Sequence, residues 1–322
     1  MTTWKKTLLI MSVALMSSAA LAQTWPTKPI KLVIPYPPGG ITDSAARVVA
    51  QGLQSRLGQP VIAENKPGAA SRIAMDLVAK SPADGYTLLF APTTLATNTA
   101  LYGDALPFNV QKDFAPVAHV VWAPYTLMVR SSLGINTIAE LVAFAKKNPG
   151  KVNAGTLQGG SIPNLALELF KRRTGADVYS VPYKGTGEAL TDLIGGQIDM
   201  YFEGRITAEG HLKSGKLKAL GLAWSKRSPK APEVPTFAEV GYSGFEVASW
   251  FGVVAPAQTP PQIIAKLNQE IVAVLKDSAT NRRLVDMDLI PTGTSPEEFG
   301  RIVRDETAKW KKLIQDAGIK PE

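Results

Sequence analysis

From Pro29 onward the chain alternates short β-branched apolar runs with amphipathic stretches of helical period, and this alternation restricts the fold more than any other feature. A strand, a helix and another strand in sequence close into a parallel sheet with helices on its faces, so the expected class is α/β. Strands are expected at 30–34, 60–63 and 86–90 and helices at 43–57 and 69–80, with Ala83-Asp84-Gly85 as the turn before the third strand. These make one doubly wound unit. A second series follows Pro116, with strands at 117–121, 125–129, 152–154, 178–182, 198–202 and 217–223 and helices at 138–147, 163–173 and 188–194. A Pro-rich stretch at 228–235 precedes a strand at 251–255, and helices at 261–276, 281–287 and 296–317 complete the chain. The length of 322 residues also suits two globular units. The expected architecture is therefore a hinged pair of doubly wound α/β domains with a cleft between them. Crossings near Ala123-Pro124 and Ser249-Trp250 put residues 23–123 and 250–322 in domain 1 and residues 124–249 in domain 2.

The N-terminus reads as a secretory signal peptide over 1–22. Lys5 and Lys6 form the charged region, Thr7 to Met16 the apolar stretch and Ala20-Leu21-Ala22 the cleavage motif, so the mature chain is expected to start at Gln23. The apolar run falls short of the ~20 residues that a spanning helix needs, which disfavours an uncleaved anchor. Cleavage removes two charges from a formal +8. Lys and Arg are scattered in ones and twos without an aromatic-interleaved stripe, so nucleic acid is not the expected partner, whereas a mild positive field suits small anions.

The absence of Cys excludes disulfides, thiolate metal sites and cysteine nucleophiles, and His119 and His211 are the only histidines. Neither has carboxylates clustered beside it in sequence, so both are read as structural, and no metal or cofactor is expected. Gly210 to Lys216 matches a phosphate-binding loop until Leu217 stands where Ser or Thr is required, and Gly215 reads more simply as a helix end. Gly241-Tyr242-Ser243-Gly244-Phe245 lacks the second glycine of a nucleophile elbow. Asp286 and Asp288 do not read as an acid–base pair.

What remains is a set of strand-to-helix loops. The loop from Ile34 to Asp43 contains Tyr36, Pro37, Pro38, Gly39, Gly40 and Thr42; its prolines remove competing donors and its glycines admit close approach, so free N–H groups at the helix start can face an anion. A tight turn capped by Thr42 or Asp43 is the alternative. Gly155 to Pro163, with Thr156, Leu157, Gln158, Gly160 and Ser161, repeats the device, and Pro163 fits a first helical position. Pro92-Thr93-Thr94 and Tyr183-Lys184-Gly185-Thr186-Gly187 end further strands in the same way, at the sheet edge where open α/β folds hold ligands. Glu203-Gly204-Arg205 follows the strand at 198–202, and the planar fork of Arg205 suits a carboxylate; an ordinary Glu203–Arg205 surface pair is the alternative.

Several segments together resemble the extracytoplasmic substrate-binding proteins of tripartite tricarboxylate transporters: Pro37-Pro38-Gly39-Gly40 with Asp43, Leu57-Gly58-Gln59-Pro60-Val61, Glu64-Asn65-Lys66-Pro67-Gly68, Asp84 to Leu89, Val181 to Gly185, and Ser249-Trp250-Phe251-Gly252. The resemblance runs in order along the whole mature chain. It implies a two-lobed fold of the periplasmic-binding-protein type that closes on a small carboxylate and delivers it to membrane transporter subunits, as a monomer and without catalysis. By position, the Pro37 to Asp43 and Pro92 to Thr94 loops would hold the carboxylate from the first lobe, and Thr156, Gly160 and Ser161 from the second. Two segments depart from the family pattern, Thr156 to Ser161 and Glu203-Gly204-Arg205. An added Arg205 beside apolar Leu157 suits a dicarboxylate with an aliphatic or aromatic body. The competing functions are an exported carboxylate-processing enzyme using Asp43 or Glu203, for which the sequence offers no nucleophile–base pair, and a ligand sensor feeding a signalling partner.

Overall fold

Apolar β-branched runs form the centre of a ten-stranded sheet whose strands lie in the order Val61–Asn65, Ile30–Ile34, Thr87–Pro92, Ala248–Pro256, Phe114–Arg130, Met200–Gly204, Val152–Thr156 and Val178–Pro182, with Leu217–Leu222 and Ile290–Pro291 also paired to Phe114–Arg130. The fold is described from a computed structural model covering residues 25–157 and 160–320. The expected signal segment, Gln158 and Gly159 lie outside the described residues. In the first half β1 (Ile30–Ile34) leads to α1 (Ile41–Leu57), β2 (Val61–Asn65), α2 (Arg72–Ala79), β3 (Thr87–Pro92), α3 (Thr94–Tyr102) and the short α4 (Val110–Asp113). β1 pairs in parallel with β2 and β3, the arrangement that the alternating pattern predicts. The helix expected at 69–80 starts only at Arg72, because Ala69, Ala70 and Ser71 all adopt positive φ and cannot extend it.

β4 (Phe114–Arg130) is one strand of 17 residues where two shorter ones are expected. Pro116 and Pro124 suggest interruptions, but the register shifts beside Pro116 absorb the first, and at Pro124 the strand changes partners. Its first part pairs with β9 (Ala248–Pro256) and its last part with β7 and β8. The second half of the molecule then follows as α5 (Ile138–Lys147), β5 (Val152–Thr156), α6 (Ile162–Thr174), β6 (Val178–Pro182), α7 (Thr186–Gly195), β7 (Met200–Gly204), α8 (Glu209–Lys213) and β8 (Leu217–Leu222). β5 pairs in parallel with β6 and β7, so the second half is again an α/β layer. After β9 come α9 (Pro261–Lys276), α10 (Ser278–Asp286), β10 (Ile290–Pro291) and α11 (Pro296–Ala317).

Separate apolar cores sit on the two sides of this crossing. One gathers Leu32, Val49, Phe90, Val253 and Ile271 around β1 and α1; the other gathers Leu127, Leu141, Phe170, Phe202 and Phe245 around α5 and α6. Each half is thus a lobe with its own interior. The expected assignment of all of 250–322 to the first lobe does not describe the end of α11. Phe299 and Val303 pack in a first-lobe cluster, but Trp310, Leu313 and Ile314 are buried in the second lobe's core. The cause is length, since a helix of 22 residues extends about 33 Å and outruns one lobe.

Candidate functional site

Between the lobes lies a cavity of about 500 Å³. Four helices begin at its wall, and in each the turn that starts the helix leaves backbone donors without intrahelical acceptors. α1 begins after Gly40, where the first intrahelical bond runs from Ser44 N–H to the Gly40 carbonyl, so the preceding amides are uncommitted within the helix; Gly40, Ile41 and Thr42 line the cavity. α3 begins after Thr93, with Pro92, Thr93 and Thr94 on the wall. α6 is capped by Ser161, whose hydroxyl accepts from Asn164 N–H at 3.4 Å, and Ser161, Ile162 and Pro163 line the cavity. α7 starts after Gly185 and contributes Thr186. Two helices come from each lobe, and all four point the positive end of their dipole at one space, which suits an anion.

The first-lobe side is held rigidly by groups that do not themselves face the cavity. Asp43 is buried beneath the Pro38-Gly39 turn, where its carboxylate accepts from Gly39 N–H at 3.0 Å, from Arg47 Nε at 3.0 Å and from Asn65 Nδ2 at 2.9 Å. Asn65 also donates to the Tyr36 carbonyl at 2.9 Å, tying the loop to β2. Burial pushes the Asp43 carboxyl up, but these hydrogen bonds, Arg47 foremost, outweigh it and hold the pKa at about 2. Gly39, at φ 92°, needs the left-handed freedom that glycine has, and it does not line the cavity. Tyr36 and Pro38 do. Thr93 locks α3 to β9, because Trp250 N–H donates to its hydroxyl at 2.6 Å. The Thr94 hydroxyl oxygen is itself buried and has no hydrogen-bond partner among the described residues.

On the second-lobe side, Leu157 and Ser161 line the cavity while Thr156 lies behind it, sharing a hydrogen bond of 2.9 Å with the Ser180 hydroxyl. Gly160 is also off the wall. It abuts Leu101 of α3, so close that a β-carbon would stand 2.8 Å from Leu101 Cδ2. Lys184 and Gly185 do not line the cavity either, since the Lys184 amide turns toward Glu188 Oε2 at 3.3 Å and Gly185 serves as the start of α7.

Glu203 and Arg205 both reach the wall, but not as a pair. Glu203 is 8% exposed and accepts from Thr186 Oγ1 at 2.7 Å, Tyr201 OH at 3.2 Å and Gly204 N–H at 2.7 Å. Burial pushes its carboxyl above the ordinary carboxylate range. Arg205 reaches across to the first lobe, with Nε 2.8 Å from Asp288 Oδ2, while Ser228 donates to the other Asp288 oxygen at 2.6 Å. Asp288 follows α10 and adopts φ 61°, an uncommon conformation for a non-glycine residue.

Several lining residues carry no local sequence signal. Tyr125 and Ser249 arrive together because β4 and β9 pair across the crossing, and the Ser249 hydroxyl donates to Tyr125 OH at 3.3 Å. Met287, Asp288 and Leu289 come from the loop after α10, far away in sequence. His119 lies off the wall, packed against Trp122, Trp250 and Phe299 with Nδ1 2.6 Å from the Thr292 hydroxyl; burial holds its pKa near 3, so it is neutral. Among the described residues no group of three or more His, Asp and Glu side chains comes together as a metal site would require.

A family model described as the tripartite tricarboxylate transporter family receptor matches residues 45–319. Protein BugT of Bordetella pertussis is 38% identical over 301 residues, which is 93% of this chain and 92% of the relative. R. palustris Rpa4515 with adipate superposes with a TM-score of 0.83 at 35% identity, covering 92% of this chain and 100% of that one. MatC (Rpa3494) from Rhodopseudomonas palustris with bound malate gives a TM-score of 0.77 at 32% identity, over 90% and 100% of the two chains.

Proposed function

Because this chain belongs to the tripartite tricarboxylate transporter receptor family, we propose that its exported form is a periplasmic solute-binding protein that captures a small carboxylate between its lobes for delivery to membrane transporter subunits. The observation that carries the reading is the convergence of four helix N-termini, two from each lobe, on one cavity. A carboxylate seated there takes hydrogen bonds from uncommitted amides without needing a formal cation. Ligand contacts from both lobes also favour the closed arrangement, and that shape is what a transporter can recognise. Relatives with adipate and malate support the carboxylate class.

The finer expectation of a dicarboxylate rests on Arg205. Its guanidinium is engaged by Asp288, so a second ligand carboxylate there must displace an existing ion pair. Export is supported by the signal-like N-terminus. Among the described residues no helix is long and apolar enough to cross a membrane.

Calorimetry of the mature chain against a panel of small mono- and dicarboxylates, with NMR of the recovered ligand, tests the reading. One-to-one binding with the ligand unchanged is expected; conversion of any panel member would contradict it, as would a panel without a single binder.

A further inference from the structure

Among the described residues the cavity wall contains three charged side chains, Glu203, Arg205 and Asp288. Arg205 and Asp288 satisfy each other at 2.8 Å, which leaves Glu203 as the charge without an opposite partner. Its three observed donors are neutral, and no Lys, Arg or His nitrogen of the described residues lies within 4.0 Å of it. A carboxylate offers about four acceptor sites, so the bonds from Thr186, Tyr201 and Gly204 leave room for one more. A buried carboxylate without a cation is costly to keep in a folded protein, and one that borders a ligand cavity gains a partner when the ligand supplies it.

Resting on the reading of the cavity as a carboxylate site, we propose that Glu203 selects the far end of the ligand, which carries a hydrogen-bond donor, preferentially an ammonium group, rather than a second ionised carboxylate. The two ends of such a ligand match a polarity already in the walls. The amides at the starts of α1 and α3 on the first lobe attract the carboxylate and repel a cation; on the second lobe the starts of α6 and α7 act in the same sense, and Glu203, which accepts from Thr186 at the start of α7, is the group there that does the reverse. Leu157, Ile162 and Ile206 from the second lobe and Phe251 from the first also line the cavity and suit an apolar spacer between the charged ends. A second ionised carboxylate at Glu203 meets like charge in a buried setting, which raises the free energy of the complex. The groups facing Glu203 from the elements around it are Tyr125 on β4, Tyr201 on β7 and Thr186 on α7, none of them a base or a cation that would mask its charge. Burial already pushes the Glu203 carboxyl upward, and a seated ammonium would draw it back down.

The test is calorimetry of the mature chain with two matched series, butyrate, γ-aminobutyrate and succinate, then caproate, ε-aminocaproate and adipate. In the wild type the amino member of the better-fitting series is expected to bind about tenfold or more tighter than its dicarboxylate. Glu203→Gln keeps the size and an acceptor but removes the charge; it is expected to weaken the amino member by about tenfold or more and to strengthen the dicarboxylate. A wild type that binds the dicarboxylate or the plain monocarboxylate as tightly as the amino member overturns the proposal, and this comparison needs no variant to fold. A Glu203→Gln chain that changes all members equally overturns it too. If no member of either series binds, the carboxylate reading itself fails, an outcome distinct from binding with the wrong ranking.

Discussion

The two walls of the cleft are built differently. The first-lobe wall at α1 and α3 presents backbone donors and hydroxyls, and its charged residue, Asp43, is turned inward to fasten the loop through Gly39, Arg47 and Asn65. The second-lobe wall places a charged side chain, Glu203, directly on the cavity and sends Arg205 across to Asp288. A wall of amides recognises any carboxylate and says little about the rest of the molecule. A wall with a buried charge discriminates, because a wrong group opposite it is repelled. On the proposed reading, common recognition resides in the first lobe and selectivity in the second.

Substitutions on either wall test this division. The largest stability effect is expected at the bridge between the walls. Arg205→Ala leaves Asp288 largely buried with only Ser228 for a partner, and should cost on the order of 3 kcal/mol in denaturant unfolding. Because Asp288 rather than ligand is the partner, the ratio of mono- to dicarboxylate affinities should stay within about threefold of wild type, and Arg205→Ala with Asp288→Ala should recover part of the loss. Thr93→Val removes the acceptor of a buried Trp250 amide and should cost about 2 kcal/mol, weakening every carboxylate alike in calorimetry.

Asp43→Asn should follow at roughly 1–2 kcal/mol near neutral pH, again with a uniform loss of affinity as the Gly39 turn loosens. The pH dependence has a definite sign. Burial and hydrogen bonding place Asp43 at about 2 in the fold against an ordinary 3.8, so its stabilisation is complete above about pH 5 and fades as pH falls toward 2. The difference between wild type and Asp43→Asn in acid unfolding should shrink over that window. The smallest effect belongs to Ser161→Ala, about 0.5–1 kcal/mol, since the cap bond to Asn164 is long at 3.4 Å.

The elements legible in the sequence are those with local signals. The helices at 138–147, 261–276 and 296–317 appear with the expected ends, because Thr137 and Ser295 cap two of them, Pro261 and Pro296 occupy first turns and Gly318 ends the last. The strands at 30–34 and 178–182 also match. α3 was hidden because Thr94 to Tyr102 is rich in Thr and has no amphipathic stripe; its role is to aim an N-terminus at the cavity. The continuity of β4 was hidden by two prolines that its bulges and change of partner accommodate. At the site, the strand-to-helix loops announce themselves through Gly, Pro and hydroxyl residues. The partner of Arg205 does not, because Asp288 stands 83 positions away and is delivered by tertiary packing alone.

The most direct test of the division between walls is a crystal structure of the mature chain with ε-aminocaproate or the tightest carboxylate from the panels. Carboxylate oxygens are expected within about 3 Å of amides at the starts of α1 and α3, with the ligand's other end toward Glu203 and Arg205 still on Asp288. A ligand carboxylate on Arg205 with Asp288 displaced, or a carboxylate seated on the second lobe with the first-lobe amides left to water, would contradict it.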